Sequence, residues 1–260
     1  MNPTVWLVGA GPGDPELLTL KAARILSQAE IVMVDDLVNP EILEHCPQAC
    51  IIRVGKRGGC RSTPQAFINR LMLRYGRQGK RLVRLKGGDP CIFGRAGEEA
   101  LWLRERGVES EIVNGITAGL AGATQCGIPL TLRGVSRGVT LVTAHTQDDS
   151  ELNWRGLAQG GTTLVVYMGV ARLQQIQEGL LSGDMPSDTP IAMIEQASTP
   201  QQRQHVCRLD DLCEQAAAFK LQSPAVLVIG EVVSAALASG QLNQMLSADP
   251  EPTNLLNLAT

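Results

Sequence analysis

Short apolar, β-branched runs alternate along the chain with segments whose apolar residues recur at helical spacing. In the first half the runs are VWLV (5–8), IVMV (31–34), CIIRV (50–54), RLVRL (81–85) and SEIV (110–113), each followed by a turn and most by a helical pattern. This alternation predicts an α/β architecture. Asp14 before Pro15 predicts an N-cap with proline at the first helical position, and Leu17, Leu18, Ala22, Ile25 and Leu26 then form one buried stripe. Thr63 and Pro64 repeat the start signal for a helix through Tyr75. IPLTLRGVSRG (128–138) reads as a linker, after which the pattern restarts. VTLVTA (139–144), TTLVVYM (162–168), a helix near 170–181, PIAMI (190–194), a polar strand QRQHVCRL (202–209), a helix near 210–219 and PAVLVIG (224–230) follow. Two unequal α/β domains are expected, 1–135 and 136–240, with a ligand cleft between them. The polar, proline-containing stretch 241–260 is expected to be a loose tail.

Composition narrows the function classes. With 260 residues, 44% hydrophobic and 19% charged, the chain has enough apolar material for one large core or two modest ones. No apolar run reaches the roughly 18 residues of a membrane span, and the N-terminus lacks the pattern of a secretory signal, so a cytoplasmic protein without a membrane partner is expected. The seven cysteines include no C-x-x-C pair, which argues for inert thiols over zinc or disulfides, and no metal is expected. A net charge of -3 conceals an asymmetry: 18 Lys+Arg against 13 Asp+Glu through Gly138, then 5 against 13. The basic half suits an acidic partner. With only 3% aromatic residues and no recognised motif, nucleic acid is not the expected one.

Two glycine turns carry the chemistry. In VGAGPGDP, Gly9 and Gly11 follow a strand and precede a helical pattern, fitting most of a G-x-G-x-x-G dinucleotide fingerprint. Asp14 occupies the last position, where glycine would let helix and strand pack closely, and Pro12 stiffens the turn. In RLVRLKGGDPCIFGRAGEEA (81–100), Gly87 and Gly88 permit unusual backbone angles and close ligand approach, with Asp89 as an acceptor and Pro90 fixing the chain. In open α/β sheets, ligands gather outside the carboxyl ends of the strands, where both turns fall.

VGAGPGDPELLTLKA, the VGK at 54–56, VRLKGGDPCIFGRAGEE, NGITAGLAGATQCGIPLT, VVYMGV and STPQQR (198–203) occur in the order found in one family. In these motifs the chain resembles the uroporphyrinogen-III C-methyltransferases, a branch of the tetrapyrrole methylases. That resemblance implies two unequal α/β domains with the active site in the cleft between them, a homodimer, and S-adenosylmethionine as methyl donor with S-adenosylhomocysteine as product. The implied reaction is methylation of uroporphyrinogen III at C2 and C7, giving precorrin-2 through precorrin-1, for sirohaem, cobalamin or haem d1 synthesis. The implied cofactor positions are Pro12, Gly87, Gly88, Asp89, Ile92, Thr117, Ala118, Met168 and Ala197, several acting through the backbone. Asp35 is the implied proton acceptor and Lys56 the implied proton donor.

The substrate's eight carboxylates give the basic half a purpose, and Arg95 and Arg133 are the candidates for gripping them, because guanidinium forks match carboxylates bidentately. Glu98, one helical turn beyond Arg95, either orients that arginine or accepts a pyrrole N–H, with a purely structural ion pair as the competing account. Arg53, Lys56, Arg57 and Arg61 would add attraction at the rim. Ala96, Leu132, Ala144 and Ala197 depart from the family pattern, which has glycine, histidine, glycine and glycine there. The upstream dehydrogenase and ferrochelatase module of some relatives is expected to be absent. Competing readings are a precorrin or cobalt-precorrin methyltransferase, an NAD-dependent oxidoreductase using Gly9, Gly11 and Asp35, and a non-catalytic tetrapyrrole carrier.

Overall fold

The computed structural model describes residues 4–55, 63–145 and 152–240. The chain forms two compact units, Met1–Gly122 with Gln196–Gln202, and Ala123–Glu195 with Arg203–Thr260. The division falls upstream of the boundary drawn at 135/136 from sequence, and a short later segment belongs to the first unit.

The first unit contains β1 (Val5–Gly9), α1 (Leu20–Leu26), β2 (Ile31–Val34), β3 (Cys50–Arg53), α2 (Gln65–Arg77), β4 (Leu82–Lys86), α3 (Ala96–Arg104) and β5 (Ser110–Val113). Its strands form one parallel sheet in the order β3-β2-β4-β1-β5. β2 is buried at every position, as expected of an apolar run with both sheet faces covered. One face packs Val8, Val32, Val34, Val83 and Leu85 against Ala22 and Leu26 of α1. The opposite face packs Val5, Leu7, Met33 and Leu82 against Ile68 and Met72 of α2 and Leu103 of α3.

α4 (Ala118–Gln125) spans the division. The second unit continues with β6 (Val139–Thr143), α5 (Trp154–Gln159), β7 (Thr163–Tyr167), α6 (Leu173–Ser182), β8 (Pro190–Glu195), β9 (Arg203–Arg208), α7 (Leu212–Phe219), β10 (Ala225–Ile229) and α8 (Val232–Ala238). Its sheet order is β6-β7-β10-β8-β9, parallel only between β6 and β7. The stretch read as a linker contains a tight turn, with Leu132 and Ser136 exchanging backbone hydrogen bonds of 3.0 and 2.9 Å.

Two helix starts differ from expectation. Asp14 does cap, its Oδ1 accepting from Glu16 N at 2.9 Å, but the helix it opens is only the 3-10 turn Pro15–Leu17. The backbone is extended at Leu18, and α1 begins afresh with Thr19 Oγ1 accepting from Ala22 N at 3.2 Å. Thr19 is itself a good cap residue, so two start signals in succession split one expected helix. α2 begins at Gln65, with Pro64 in the N-cap position and no side-chain cap.

The cysteines divide by burial. Cys46, Cys126 and Cys207 are buried, and burial pushes the Cys126 and Cys207 thiols up to about 12. Cys50 and Cys91 are exposed and Cys213 is partly buried, so burial accounts for some of the described thiols and not for all.

Gly9 ends β1 where no side chain fits. A Cβ there would lie 2.6 Å from both Gly115 N and Gly88 O, backbone atoms of two neighbouring segments. Gly9→Ala is expected to destabilise the first unit by about 1–3 kcal/mol, the usual range for overpacking. A lower urea midpoint with an unchanged slope is the result to look for.

Candidate active site

β1 and β4 are neighbours, yet the chain leaves β1 toward β2 on one side and leaves β4 toward β5 on the other. This reversal is the place where open α/β sheets bind ligands. Both glycine turns lie there. Gly11 and Gly88 pair in antiparallel fashion, Gly11 N donating to Gly88 O at 3.2 Å and Gly88 N to Gly11 O at 2.7 Å. Gly11 and Gly88 have φ of 78° and 69°, so glycine is demanded by conformation at each.

Four further segments of the first unit join these turns. Asp89 is buried, its Oδ1 accepting from Cys91 N at 2.7 Å and its Oδ2 from Gly115 N at 3.1 Å and Asn114 Nδ2 at 3.4 Å. Its side chain thus ties the second glycine turn to the end of β5. Thr117 is buried immediately before α4, and its carbonyl accepts from Leu120 N at 3.1 Å and Ala121 N at 3.2 Å. Gly88 lies against this helix start, a Cβ there falling 3.7 Å from Thr117 Cα and 4.0 Å from Ala118 N. Asn39 Nδ2 donates to Gly13 O at 2.7 Å, anchoring the first turn. Across Gly13 lie Ser198 O and Ala197 O, 3.0 and 3.3 Å from where a Cβ would stand.

Pro12, Gly87, Gly88, Asp89, Thr117, Ala118 and Ala197 therefore belong to one connected set of segments. Ile92 joins them through its N–H, which donates to Asp89 O at 3.2 Å. Met168 belongs to the second unit, directly after β7, about half exposed and with a φ of 55°. This left-handed conformation is uncommon for a residue with a side chain. Lys56 lies outside the described residues, as do Arg57 and Arg61.

Asp35 follows β2 with its side chain 30% exposed, in direct contact with Arg84 Nη2. Arg84 and Lys86 are buried on β4, and Glu99 of α3 lies between them, 3.7 Å from Arg84 Nε and 3.2 Å from Lys86 Nζ. Burial, then the charge of Arg84, pulls the Lys86 ammonium below its ordinary range, while Glu99 and Asp35 act in the opposite direction. Sequence reasoning missed this cluster. The available signal was the period-two placement of Arg84 and Lys86 beside Leu82 on one strand face.

Arg95 occupies the N-cap position of α3 with a φ of 61°. Its Nη2 donates to Glu98 Oε2 at 2.7 Å and its Nε donates to both carboxyl oxygens at 3.2 Å. The hydrogen bond from Arg95 holds the Glu98 carboxyl below the usual range, and that same bond raises Arg95. Both side chains are exposed. Arg133 is exposed at the tip of the 132–136 turn in the second unit. Of the four departures, Ala96 is buried in the core under α2 and α3, so its methyl group has apolar neighbours. Ala144 is likewise buried in the second unit's core.

Among the described residues no group of three or more His, Cys, Asp and Glu is placed to hold a metal ion. No helix among them is long and apolar enough to cross a membrane.

A parallel five-stranded sheet with glycine turns at its reversal, followed by a mixed five-stranded sheet, defines a two-unit α/β protein. The family model of the tetrapyrrole (corrin/porphyrin) methylases matches residues 4–213, and the chain belongs to that family. It is 72% identical over 232 residues to a uroporphyrinogen-III C-methyltransferase of Pseudomonas aeruginosa, covering 89% of this chain and 95% of that protein. The corresponding Bacillus subtilis protein is 44% identical over 88% of this chain and 91% of its own length. A crystal structure of the Thermus thermophilus uroporphyrin-III C-methyl transferase complexed with S-adenyl homocysteine matches with a TM-score of 0.77 and 42% identity, covering 89% of this chain and 99% of that one.

Proposed function

We infer that this chain is an S-adenosylmethionine-dependent methyltransferase that converts uroporphyrinogen III to precorrin-2 by two C-methylations. The 72% identity to the Pseudomonas aeruginosa protein carries the choice of acceptor. The precorrin-2 formed would serve sirohaem, cobalamin or haem d1 synthesis. A cobalt-precorrin methyltransferase reading rests on a fold shared at only 25% identity, and the dinucleotide reading lacks support from the relatives.

The residues fit such a cofactor. The connected turns bring several backbone segments together where Gly87 and Gly88 carry no side chain, and peptide N–H and C=O groups at such a place suit an adenine edge and a methionine carboxylate and amine. Ser198 Oγ, beside Ala197, is buried without a hydrogen-bond partner and supplies a hydroxyl seeking one. When bound, the cofactor supplies a sulfonium methyl group to an electron-rich ring carbon and leaves as S-adenosylhomocysteine.

We propose that the turns at 11–13, 87–89, 117–118 and 197 hold the donor, with Ile92 as an apolar contact, and Met168 assigned from the resemblance. Asp35 accepts the proton that the methylated macrocycle releases, with Lys56 as proton donor. Arg95 and Arg133 grip substrate carboxylates, and Glu98 orients Arg95. Catalysis then rests mainly on alignment and water exclusion, with no covalent intermediate on the protein. A homodimer in the cytoplasm, independent of nucleic acid and membrane, completes the reading.

Anaerobic incubation with S-adenosylmethionine and freshly generated uroporphyrinogen III tests it. A dimethylated tetrapyrrole is expected by mass spectrometry. Methylation confined to later precorrins would transfer the chain to the rival branch, and NADH binding without methyl transfer would favour the oxidoreductase.

A further inference from the structure

The buried charge cluster of the first unit poses a question that the cofactor site does not answer. Leu82, Arg84 and Lys86 alternate onto the face of β4 covered by α2 and α3. Leu82 meets the apolar core, but the next two positions toward the strand's carboxyl end are cations. The Arg84 and Lys86 side chains are only 3% and 7% exposed. Two buried cations are tolerable only with counter-charges, which Asp35 and Glu99 supply.

Glu99 organises the cluster. Its side chain is 1% exposed, and its carboxylate accepts from Lys86 Nζ at 3.2 and 3.3 Å and from Gln65 Nε2 at 2.8 Å. Gln65 Nε2 is also 2.9 Å from Asn69 Oδ1, so α2 braces the carboxylate that α3 provides. Arg84 Nε faces Glu99 at 3.7 Å and has no hydrogen-bond partner, while Arg84 Nη1 donates to Met33 O and Leu85 O at 3.4 Å. The far end of the guanidinium reaches Asp35, whose carboxyl is partly open to solvent. Buried ion clusters contribute little net stability compared with apolar residues of the same volume. What this one supplies is direction: a chain from α2 and α3 through β4 to a single carboxylate after β2.

We propose that Glu99 is a positioning residue for proton removal, fixing the Arg84 guanidinium that in turn fixes the Asp35 carboxylate. The arrangement follows the logic of a general base held in orientation by further groups behind it. Lys86 lies 3.2 Å from the Glu99 carboxylate and balances its charge, so Glu99 faces Arg84 without pulling it away from Asp35. The inference rests on the reading of Asp35 as proton acceptor.

Glu99→Gln keeps the shape and an oxygen for Gln65 while removing the charge that faces Arg84 and Lys86. The full chain carrying it is expected to bind S-adenosylhomocysteine as before in calorimetry. Its kcat for the dimethylated product should fall about 10-fold or more, with KM for both substrates within about 2-fold. In an Asp35→Asn background the same change should cost less than about 2-fold further, because the two residues act as one unit. A folded Glu99→Gln protein with undiminished kcat overturns the proposal, as do losses that multiply with those of Asp35→Asn. Should Glu99→Gln fail to fold, Arg84→Lys retains a buried cation beside Glu99 but loses the fork that spans to Asp35. It should show the same kcat-only loss and the same non-additivity, and normal kcat in that variant overturns the proposal. If Asp35→Asn itself leaves kcat intact, the proton-acceptor reading fails and this inference fails with it. Loss in Asp35→Asn beside a neutral Glu99→Gln sinks the positioning role alone.

Discussion

Asp35→Asn is expected to lower kcat for dimethylated product by roughly 10²–10⁴, the range a general base contributes. Asparagine keeps the size of the side chain and an oxygen for Arg84, so the loss would report proton acceptance and not collapse of the cluster. The Asp35 carboxyl is engaged with Arg84, whereas the glycine turns are joined to one another and to Asp89, Gly115 and Ala197. Affinity for S-adenosylhomocysteine should therefore change by less than about 2-fold. An anaerobic absorbance time course gives the rate and calorimetry the affinity. An unchanged rate would remove Asp35 from the mechanism.

Arg95→Ala is expected to lower kcat/KM for the tetrapyrrole by about 100-fold or more while cofactor binding is retained. A bidentate grip on a carboxylate involves two charge-assisted hydrogen bonds, and losing them is worth about 3 kcal/mol, or two factors of ten. Alanine preserves the Cβ and hence the demands of the left-handed backbone at this position. In the free protein the guanidinium is already shaped into a fork by Glu98. That pair is exposed, and exposed pairs are weak, so an incoming substrate carboxylate displaces or shares it at little cost. Lost affinity for S-adenosylhomocysteine in a folded variant would place Arg95 in the cofactor site instead.

The strands of the first unit were legible because a parallel sheet covered on both faces writes itself as short apolar runs, and IVMV gives β2 with the bounds read from sequence. The glycine turns were legible as well, since Gly11 and Gly88 answer a backbone requirement that few other residues meet. The cluster behind Asp35 was not. Arg84 and Lys86 sit in a strand that reads as apolar, and their partner Glu99 arrives from a helix whose acidic pair also contains the exposed Glu98. Only three-dimensional placement separates the buried carboxylate from the exposed one. Nor does any local pattern announce that 196–202, flanked by β8 and β9 of the second unit, belongs to the first. The split at Leu18 had a visible cause in Thr19, whose capping capacity competed with the longer helix that Asp14 and Pro15 suggested.

Amide hydrogen exchange with and without S-adenosylhomocysteine tests most directly whether the strand ends of the first unit form the donor site. Slower exchange is expected in segments 9–13, 86–92, 115–120 and 196–199, with β2 and α2 unaffected. Binding of the ligand with no protection in those four segments, and protection elsewhere, would contradict the account.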